Sequence, residues 1–318
     1  MAHYLVTGGC GFIGSHLVYQ LIDSGHEVTV LDDCSTGKVE NVPTQAKVII
    51  GDAADRHVVE HLFDDIDGCF HLAAIASVEK STKEWVEAHR VNLTATVNVF
   101  NAASRKQVHV PVIYASSAAV YGNNHTVPLN ESVALEPLSA YGADKLGCEL
   151  HARIADHIFH VPNLGFRFFN VYGPRQDPLS PYSGVISIFF NRILHKEDIA
   201  IYGDGEQVRD FVYVNDVVQA MVAGMGKLKQ ENCGHEVLNV CTGKPTSINQ
   251  LAKSIEDVAG IRVKHNHLPP REGDIRVSIG SVEKLRTVLR MEPHTSLMQG
   301  LAATMRYFSS IPDNRGNV

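Results

Sequence analysis

The sequence predicts an α/β protein, a doubly wound parallel sheet followed by a smaller C-terminal α/β lobe. Three observations carry this. Short apolar runs alternate with amphipathic stretches along the first 170 residues, a glycine-rich turn joins the first run to the first stretch, and the alternation breaks off after Asn170 in a segment rich in proline and glycine. Strands separated by helices at this spacing lie parallel and cross over with a right hand.

The elements follow in order. Tyr4–Thr7 reads as a short buried strand and Phe12–Ser24 as a helix, with Val28–Leu31 and Lys47–Ile50 as the next strands. A helix near Asp55–Phe63 leads to a fourth strand, Gly68–Leu72, and a long helix over about Glu84–Lys106. Pro111–Tyr114 is the fifth strand, Ala140–His160 a second long helix and Asn163–Phe169 the sixth strand. Gly173–Gly184 is a loop by composition. Beyond it come helices at Val185–Leu194, Asn215–Gly226 and Ser247–Val258, and strands near Ile199–Tyr202, Asp210–Tyr213 and Glu236–Val240. The expected division is 1–172 for a dinucleotide-binding domain and 173–318 for a substrate lobe, with some segments returning to the first sheet. No internal repeat or low-complexity tract interrupts this.

At 318 residues and 44% hydrophobic, the chain can bury a large core. A formal net charge of -7 argues against a nucleic-acid partner, which calls for a basic face. The chain runs from Met1 straight into Tyr4-Leu5-Val6, so no secretory leader is expected. No apolar stretch reaches the ~20 residues that span a bilayer, so no membrane partner is expected either. Cys10, Cys34, Cys69, Cys148, Cys233 and Cys241 form no C-x-x-C pair and no disulfide framework, which fits a reducing cytoplasm. His57 and His61 lie one helical turn apart, but nothing is placed to complete a ligand set, so no metal is expected.

The first strand ends in Thr7-Gly8-Gly9-Cys10-Gly11-Phe12-Ile13-Gly14. Gly8 permits a tight turn, Gly11 lets backbone approach a pyrophosphate on the positive end of the next helix, and Gly14 lets that helix pack closely on the sheet. This strand–turn–helix setting makes the triplet a dinucleotide signature of Rossmann type. Asp32 ends the second strand, where an acid takes ribose hydroxyls and repels a 2′-phosphate. Asp33 follows and Lys38 is the nearest cation, so NAD is expected rather than NADP.

The chemical signal is Tyr141-Gly-Ala-Asp-Lys145 together with Ser116-Ser117 after the fifth strand. Positions four apart on a helix share a face, so Tyr141 and Lys145 point into one space. A cation held close favours an ionised phenol. Tyr141 is therefore the candidate base, removing a hydroxyl proton while a hydride leaves the same carbon. Ser117 lies at the carboxyl edge of the sheet, where ligands bind, and can orient the substrate oxygen or relay its proton.

With these residues in view, the chain resembles the extended short-chain dehydrogenase/reductase superfamily and, within it, the UDP-hexose 4-epimerases. The resemblance spans nearly the whole chain. It rests on the T-G-x-x-G-x-x-G loop, His71-Leu72-Ala73-Ala74, Asn92, Ser116–Gly122 (SSAAVYG), the Tyr–Lys pair, Arg167–Arg175 (RFFNVYGPR), Ile201–Val214 (IYGDGEQVRDFVYV) and Arg271-Glu272-Gly273-Asp274. It implies an NAD site formed by Gly8, Gly11, Phe12, Ile13, Asp32, Asp33, Ser35, Thr36, Gly37, Asp52, Ala53, Leu72, Ala73, Ala74, Asn92, Tyr141, Lys145 and Phe168, with Asp52 and Ala53 near the adenine. It implies a substrate site formed by Ala76, Ser77, Ser117, Tyr141, Asn170, Val185, Tyr202, Arg209, Arg271, Asp274 and Ser278. In that carry-over Asn170 holds the diphosphate, Tyr202 packs near the uracil, and Arg209 and Arg271 clamp phosphates, which suits guanidinium forks. Asp274 binds near the uridine ribose or orients an arginine.

One departure narrows the activity. The dehydratases and decarboxylases of the superfamily place an acid where Ala119 stands, as in S-T-D-E-V-Y-G. Without it, the ketone made at sugar C4 can only be reduced again, which is epimerisation with NAD regenerated. Ser278 matches the position of a gate beside the C2 substituent, where a small residue leaves room for an N-acetyl group. Ile75-Ala76-Ser77-Val78 also resembles epimerases of acetylated sugars. The expected substrates are UDP-N-acetylglucosamine and UDP-N-acetylgalactosamine, with UDP-glucose and UDP-galactose alongside. Three alternatives stay open: a UDP-glucuronate 4-epimerase, a net NAD-dependent oxidoreductase, and a non-catalytic NAD-binding regulator on the same fold. The two long helices match those that pair in dimers of the family, so a homodimer is expected.

Overall fold

The computed structural model describes residues 1–106, 109–178, 184–231, 234–271 and 273–310. In chain order it holds β1 (His3–Thr7), α1 (Phe12–Asp23), β2 (Glu27–Asp32), β3 (Lys47–Ile50), α2 (Arg56–Leu62) and β4 (Gly68–His71). Next come α3 (Val78–Lys83), α4 (Trp85–His89), a π-helical turn (Arg90–Thr94), α5 (Ala95–Ser104), β5 (Val112–Ser117), α6 (Ala140–Phe159), β6 (Asn163–Phe168) and β7 (Asn170–Tyr172). The second half holds α7 (Val185–Leu194), β8 (Ile199–Tyr202), β9 (Val208–Tyr213), α8 (Val214–Glu231), β10 (His235–Val240) and β11 (Pro245–Ser247). It ends with α9 (Ile248–Ala259), β12 (His265–Leu268), β13 (Val277–Ser278), α10 (Glu283–Leu289) and α11 (Leu297–Ser310).

Seven strands form one sheet in the order β10-β6-β5-β4-β1-β2-β3, with every neighbouring pair parallel. The strands read as unbroken apolar runs because both faces are covered. Val6 packs with Leu17 and Leu21 of α1 and Met221 of α8, while its neighbour Leu5 packs on the other side with Val99 of α5 and Ala152 of α6. Thr7 is level with Leu31 of β2 and His71 of β4, so the carboxyl ends of the central strands open at one edge.

After Phe168 the chain leaves this sheet. β7 pairs with β9, which also carries β11 and β13, and β12 pairs with β8. Phe189 and Phe190 of α7, Leu251 and Ile255 of α9, and Leu301 and Phe308 of α11 cover this smaller layer. Among the described residues no helix is long and apolar enough to cross a membrane.

Two expectations need correction. The helix expected over 84–106 is α4, a π-helical turn and α5 in succession. The wider turn brings Asn92 into the interior, where it binds backbone, and a 3.6-residue pattern contains no trace of it. The strand expected at Asn163–Phe169 ends at Phe168: the Phe169 amide still donates to the carbonyl of Val240 in β10, and from Asn170 the chain pairs with β9.

Candidate active site

The carboxyl ends of the central strands open into a cavity of about 900 Å³ that runs from the glycine loop to the smaller layer. At the loop end, Gly8 has φ +69°, and a Cβ there would stand 2.7 Å from the backbone nitrogen of Ala73. A Cβ on Gly14 would stand 2.1 Å from the carbonyl oxygen of Gly8. Gly11 precedes α1 in extended conformation and no side chain caps that helix, which leaves the amides of its first turn for an anion. Phe12, Ile13, Asp33, Ser35, Thr36, Gly37, Asp52 and Ala53 line the same end.

Asp32 is buried there, and its two oxygens accept from the backbone of Cys10 (2.9 Å) and Cys34 (2.8 Å). Burial pushes its carboxyl up and the two amides draw it back. The acid thus joins the glycine loop to the loop after β2, in addition to lining the cavity. Asp33 accepts from both the amide and hydroxyl of Ser35, and Asp52 from Arg90 at 2.5 Å.

Leu72, Ala73 and Ala74 form the adjoining wall. Thr7 Oγ1 accepts from the amides of Leu72 and Ala73 and pairs with His71 Nδ1 at 2.7 Å, while His71 Nε2 pairs with Thr96 at 3.0 Å. Burial, aided by the Lys145 ammonium, pushes His71 down to about 3, so the ring is a neutral spacer. Asn92 lies beneath this wall and does not line the cavity: its amide accepts from Ile75 N (2.8 Å) and donates to Ile75 O (3.3 Å).

At the other end Ser117, Tyr141 and Lys145 come together on the cavity wall. Ser117 ends β5, and its hydroxyl accepts from Ala119 N at 3.1 Å. Ser139 caps α6 by accepting from Gly142 N, which places Tyr141 in the first turn and Lys145 one turn on. Lys145 is 3% exposed; its ammonium donates to the carbonyl of Ala115 at 2.9 Å and lies 5.8 Å from the centre of the Tyr141 ring. A buried ammonium needs such a partner. A cation beside a phenol at a cavity wall is the arrangement that proton abstraction requires.

Phe168, Asn170, Ala76, Arg209, Asp274 and Ser278 line the remaining wall. Arg209 donates to Asp274 at 2.5 Å and to the carbonyl of Val208 at 2.9 Å. Burial pushes its guanidinium down and Asp274 opposes this. Ser278 arrives by the pairing of β13 with β9, directly beside Arg209.

Four of the expected substrate residues lie off this lining. Ser77 caps α3 by accepting from Lys80 N, and Val185 opens α7 behind Gly184. Arg271 stacks its guanidinium 4.0 Å above the Tyr202 ring, so these two hold each other. Glu272 lies outside the described residues. The cavity also takes in residues that the sequence did not single out. Gln176, bonded through its carbonyl to the Ser187 hydroxyl at 2.7 Å, lies in a loop without periodicity, and Lys80 lies on a helix too short to show one.

The profile of the NAD dependent epimerase/dehydratase family matches residues 4–241. The chain belongs to this family. Similar members include the UDP-glucose 4-epimerase of Mycolicibacterium smegmatis, 34% identical over 310 residues, 96% of this chain and 97% of that one. The structure of UDP-glucose 4-epimerase from Thermotoga maritima with UDP-glucose superposes with a TM-score of 0.91 at 38% identity, covering 96% and 98% of the two chains. UDP-N-acetylglucosamine 4-epimerase from Methanobrevibacter ruminantium, in complex with UDP-N-acetylmuramic acid, gives 0.92 at 37%, covering 97% and 98%. NAD is the cofactor of this epimerase/dehydratase family member, and the residues fit it: a cradle that side chains would fill, an uncapped helix start and an acid at the end of β2.

Proposed function

We propose that the chain catalyses the reversible 4-epimerisation of UDP-hexoses, accepting UDP-N-acetylglucosamine and UDP-N-acetylgalactosamine as well as UDP-glucose and UDP-galactose. The observation that carries this reading is a single cavity shared by the glycine cradle, the Ser117–Tyr141–Lys145 group and the Arg209–Asp274 pair. NAD, when bound, supplies the hydride acceptor and donor. Tyr141 takes the proton from the C4 hydroxyl and later returns it, while Lys145 stabilises the phenolate charge. Ser117 hydrogen-bonds the same sugar oxygen and holds it in line with the phenol. Arg209 holds the diphosphate, so the sugar can turn over within the cavity between proton removal and return.

Ala119 puts a methyl group on the cavity wall where elimination would need an acid or base, which favours epimerisation over dehydration. The small side chain of Ser278 leaves space beside the sugar, which favours the acetylated pair. The similarity to a UDP-N-acetylglucosamine 4-epimerase supports the same choice.

The purified protein, given UDP-glucose, UDP-N-acetylglucosamine and UDP-glucuronate separately and no added NAD, is to be followed by proton NMR. Appearance of the 4-epimers of the first two supports the reading. Turnover of the uronate alone, or stoichiometric release of NADH, overturns it.

We further infer a homodimer. Leu150, Ile154 and Ile158 form an exposed apolar stripe at four-residue spacing on α6, and Trp85 and Val86 stand exposed on α4. Light scattering after gel filtration should return twice the chain mass. A monomer at all concentrations contradicts the inference.

A further inference from the structure

Behind Ser117 lies a buried ionic group that the proposed chemistry does not use. Glu149 and Arg167 are 5% and 4% exposed and meet as a two-point fork, with Nε donating to Oε1 at 2.8 Å and Nη2 to Oε2 at 2.7 Å. The Ser116 hydroxyl donates to the same Oε1 at 2.5 Å. Arg167 Nη1 donates to the Tyr121 hydroxyl at 2.9 Å, which donates to Asn239 at 2.7 Å. Desolvating two charges offsets much of their attraction, so stability alone is a weak reason for a buried pair.

Its placement supplies a stronger reason. α6 presents Tyr141, Lys145 and Glu149 at four-residue intervals, on one face. Lys145 bonds the carbonyl of Ala115 and Glu149 takes the hydroxyl of Ser116, so two successive residues of β5 are fastened to successive turns of the helix. The next residue of β5 is Ser117. Arg167 is the register partner of Ser116 on β6, so a second strand is tied to the same carboxylate.

We propose that Ser116, Glu149 and Arg167 form the positioning device that sets the Tyr141 phenol against Ser117, with Glu149 as its central positioning residue. The inference rests on the epimerase reading above. It assigns these side chains no contact with the reacting atoms. They act by fixing the helix against the strand, and displacement of a reacting group by an ångström costs up to ~100-fold in rate.

Ser116→Ala removes one fastening and leaves the Glu149–Arg167 fork intact. The expected result is a kcat at least about tenfold lower, with KM for the UDP-sugar within about twofold and the melting temperature little changed. Leu285→Ala is the control. It empties a fully buried site where α10 covers the sheet, away from α6 and the cavity, and should lower the melting temperature while keeping kcat within about twofold. Should Ser116→Ala not fold, Glu149→Gln, equal in shape and uncharged, gives the same split between kcat and KM. Wild-type kcat in Ser116→Ala overturns the inference, as does kcat that falls in step with melting temperature in both variants. A wild-type protein without epimerase activity defeats the parent reading instead.

Discussion

Arg209 and Asp274 close on each other at 2.5 Å on the cavity wall, joining β9 to the loop before β13. The guanidinium is largely removed from water, and the carboxylate offsets part of that cost. Replacing Arg209 by Ala should raise KM for a UDP-sugar roughly thirtyfold, about 2 kcal/mol, and leave bound NAD unchanged. Initial rates and NAD content of the purified variant check this. Loss of NAD with unchanged KM would place the arginine in the wrong half of the cavity.

Gly14→Ala brings a methyl group to 2.1 Å from the carbonyl oxygen of Gly8, and backbone cannot yield to it cheaply. Overpacking of this kind costs about 1–3 kcal/mol. The variant should unfold several degrees lower and lose NAD during purification, as read by a thermal scan and by chromatography of released nucleotide. A variant that retains its full NAD content shows that α1 moves freely against the loop.

Ser278 stands beside Arg209 through the pairing of β13 with β9. Ser278→Tyr should lower turnover of UDP-N-acetylglucosamine at least about tenfold while UDP-glucose keeps its rate within about threefold, because the ring fills the space an acetyl group needs. The NMR assay run on both sugars measures it. Equal losses on both sugars count against the gate.

His71 and His16 make stability depend on pH. Burial holds His71 near 3 and His16 near 4, against an ordinary value of 6.5. Each imidazole is therefore neutral in the folded protein through a range where the unfolded chain takes up a proton. The stability that they contribute is fully present above about pH 6.5 and is lost as pH falls towards 4, with a deficit of about 2 kcal/mol for His71 at pH 5. Melting temperature should drop between pH 7 and pH 4.5. His16→Gln, whose amide can still donate to the carbonyl of Pro174, should flatten that slope. An unchanged slope removes His16 from the account.

Local spacing is what made much of this legible. The glycine loop and the Tyr141–Lys145 pair are contacts within a turn or two of chain, so their spacing shows directly in the residues. The parallel sheet was legible because strands covered on both faces read as apolar runs. The resemblance names Asn92 as an NAD-site residue, whereas it bonds the backbone of Ile75 beneath the cavity wall, and the π-helical turn that puts it there leaves no mark on an amphipathic pattern. Ser77 sits in a segment that the resemblance gave to substrate, whereas its hydroxyl is used to start α3. The Glu149–Arg167 fork is a pairing between a helix and a strand 18 residues apart, and no periodicity joins them. β13 is two residues long, so only the fold reveals that Ser278 lies next to Arg209.

The role of Tyr141 as the base is tested by Tyr141→Phe, purified with its NAD and assayed by NMR on UDP-N-acetylglucosamine and UDP-glucose. Normal folding, normal NAD content and turnover reduced at least about a hundredfold on both sugars are expected, because the acid–base group is gone while the cavity keeps its shape. Turnover within a few-fold of the unaltered protein contradicts that role.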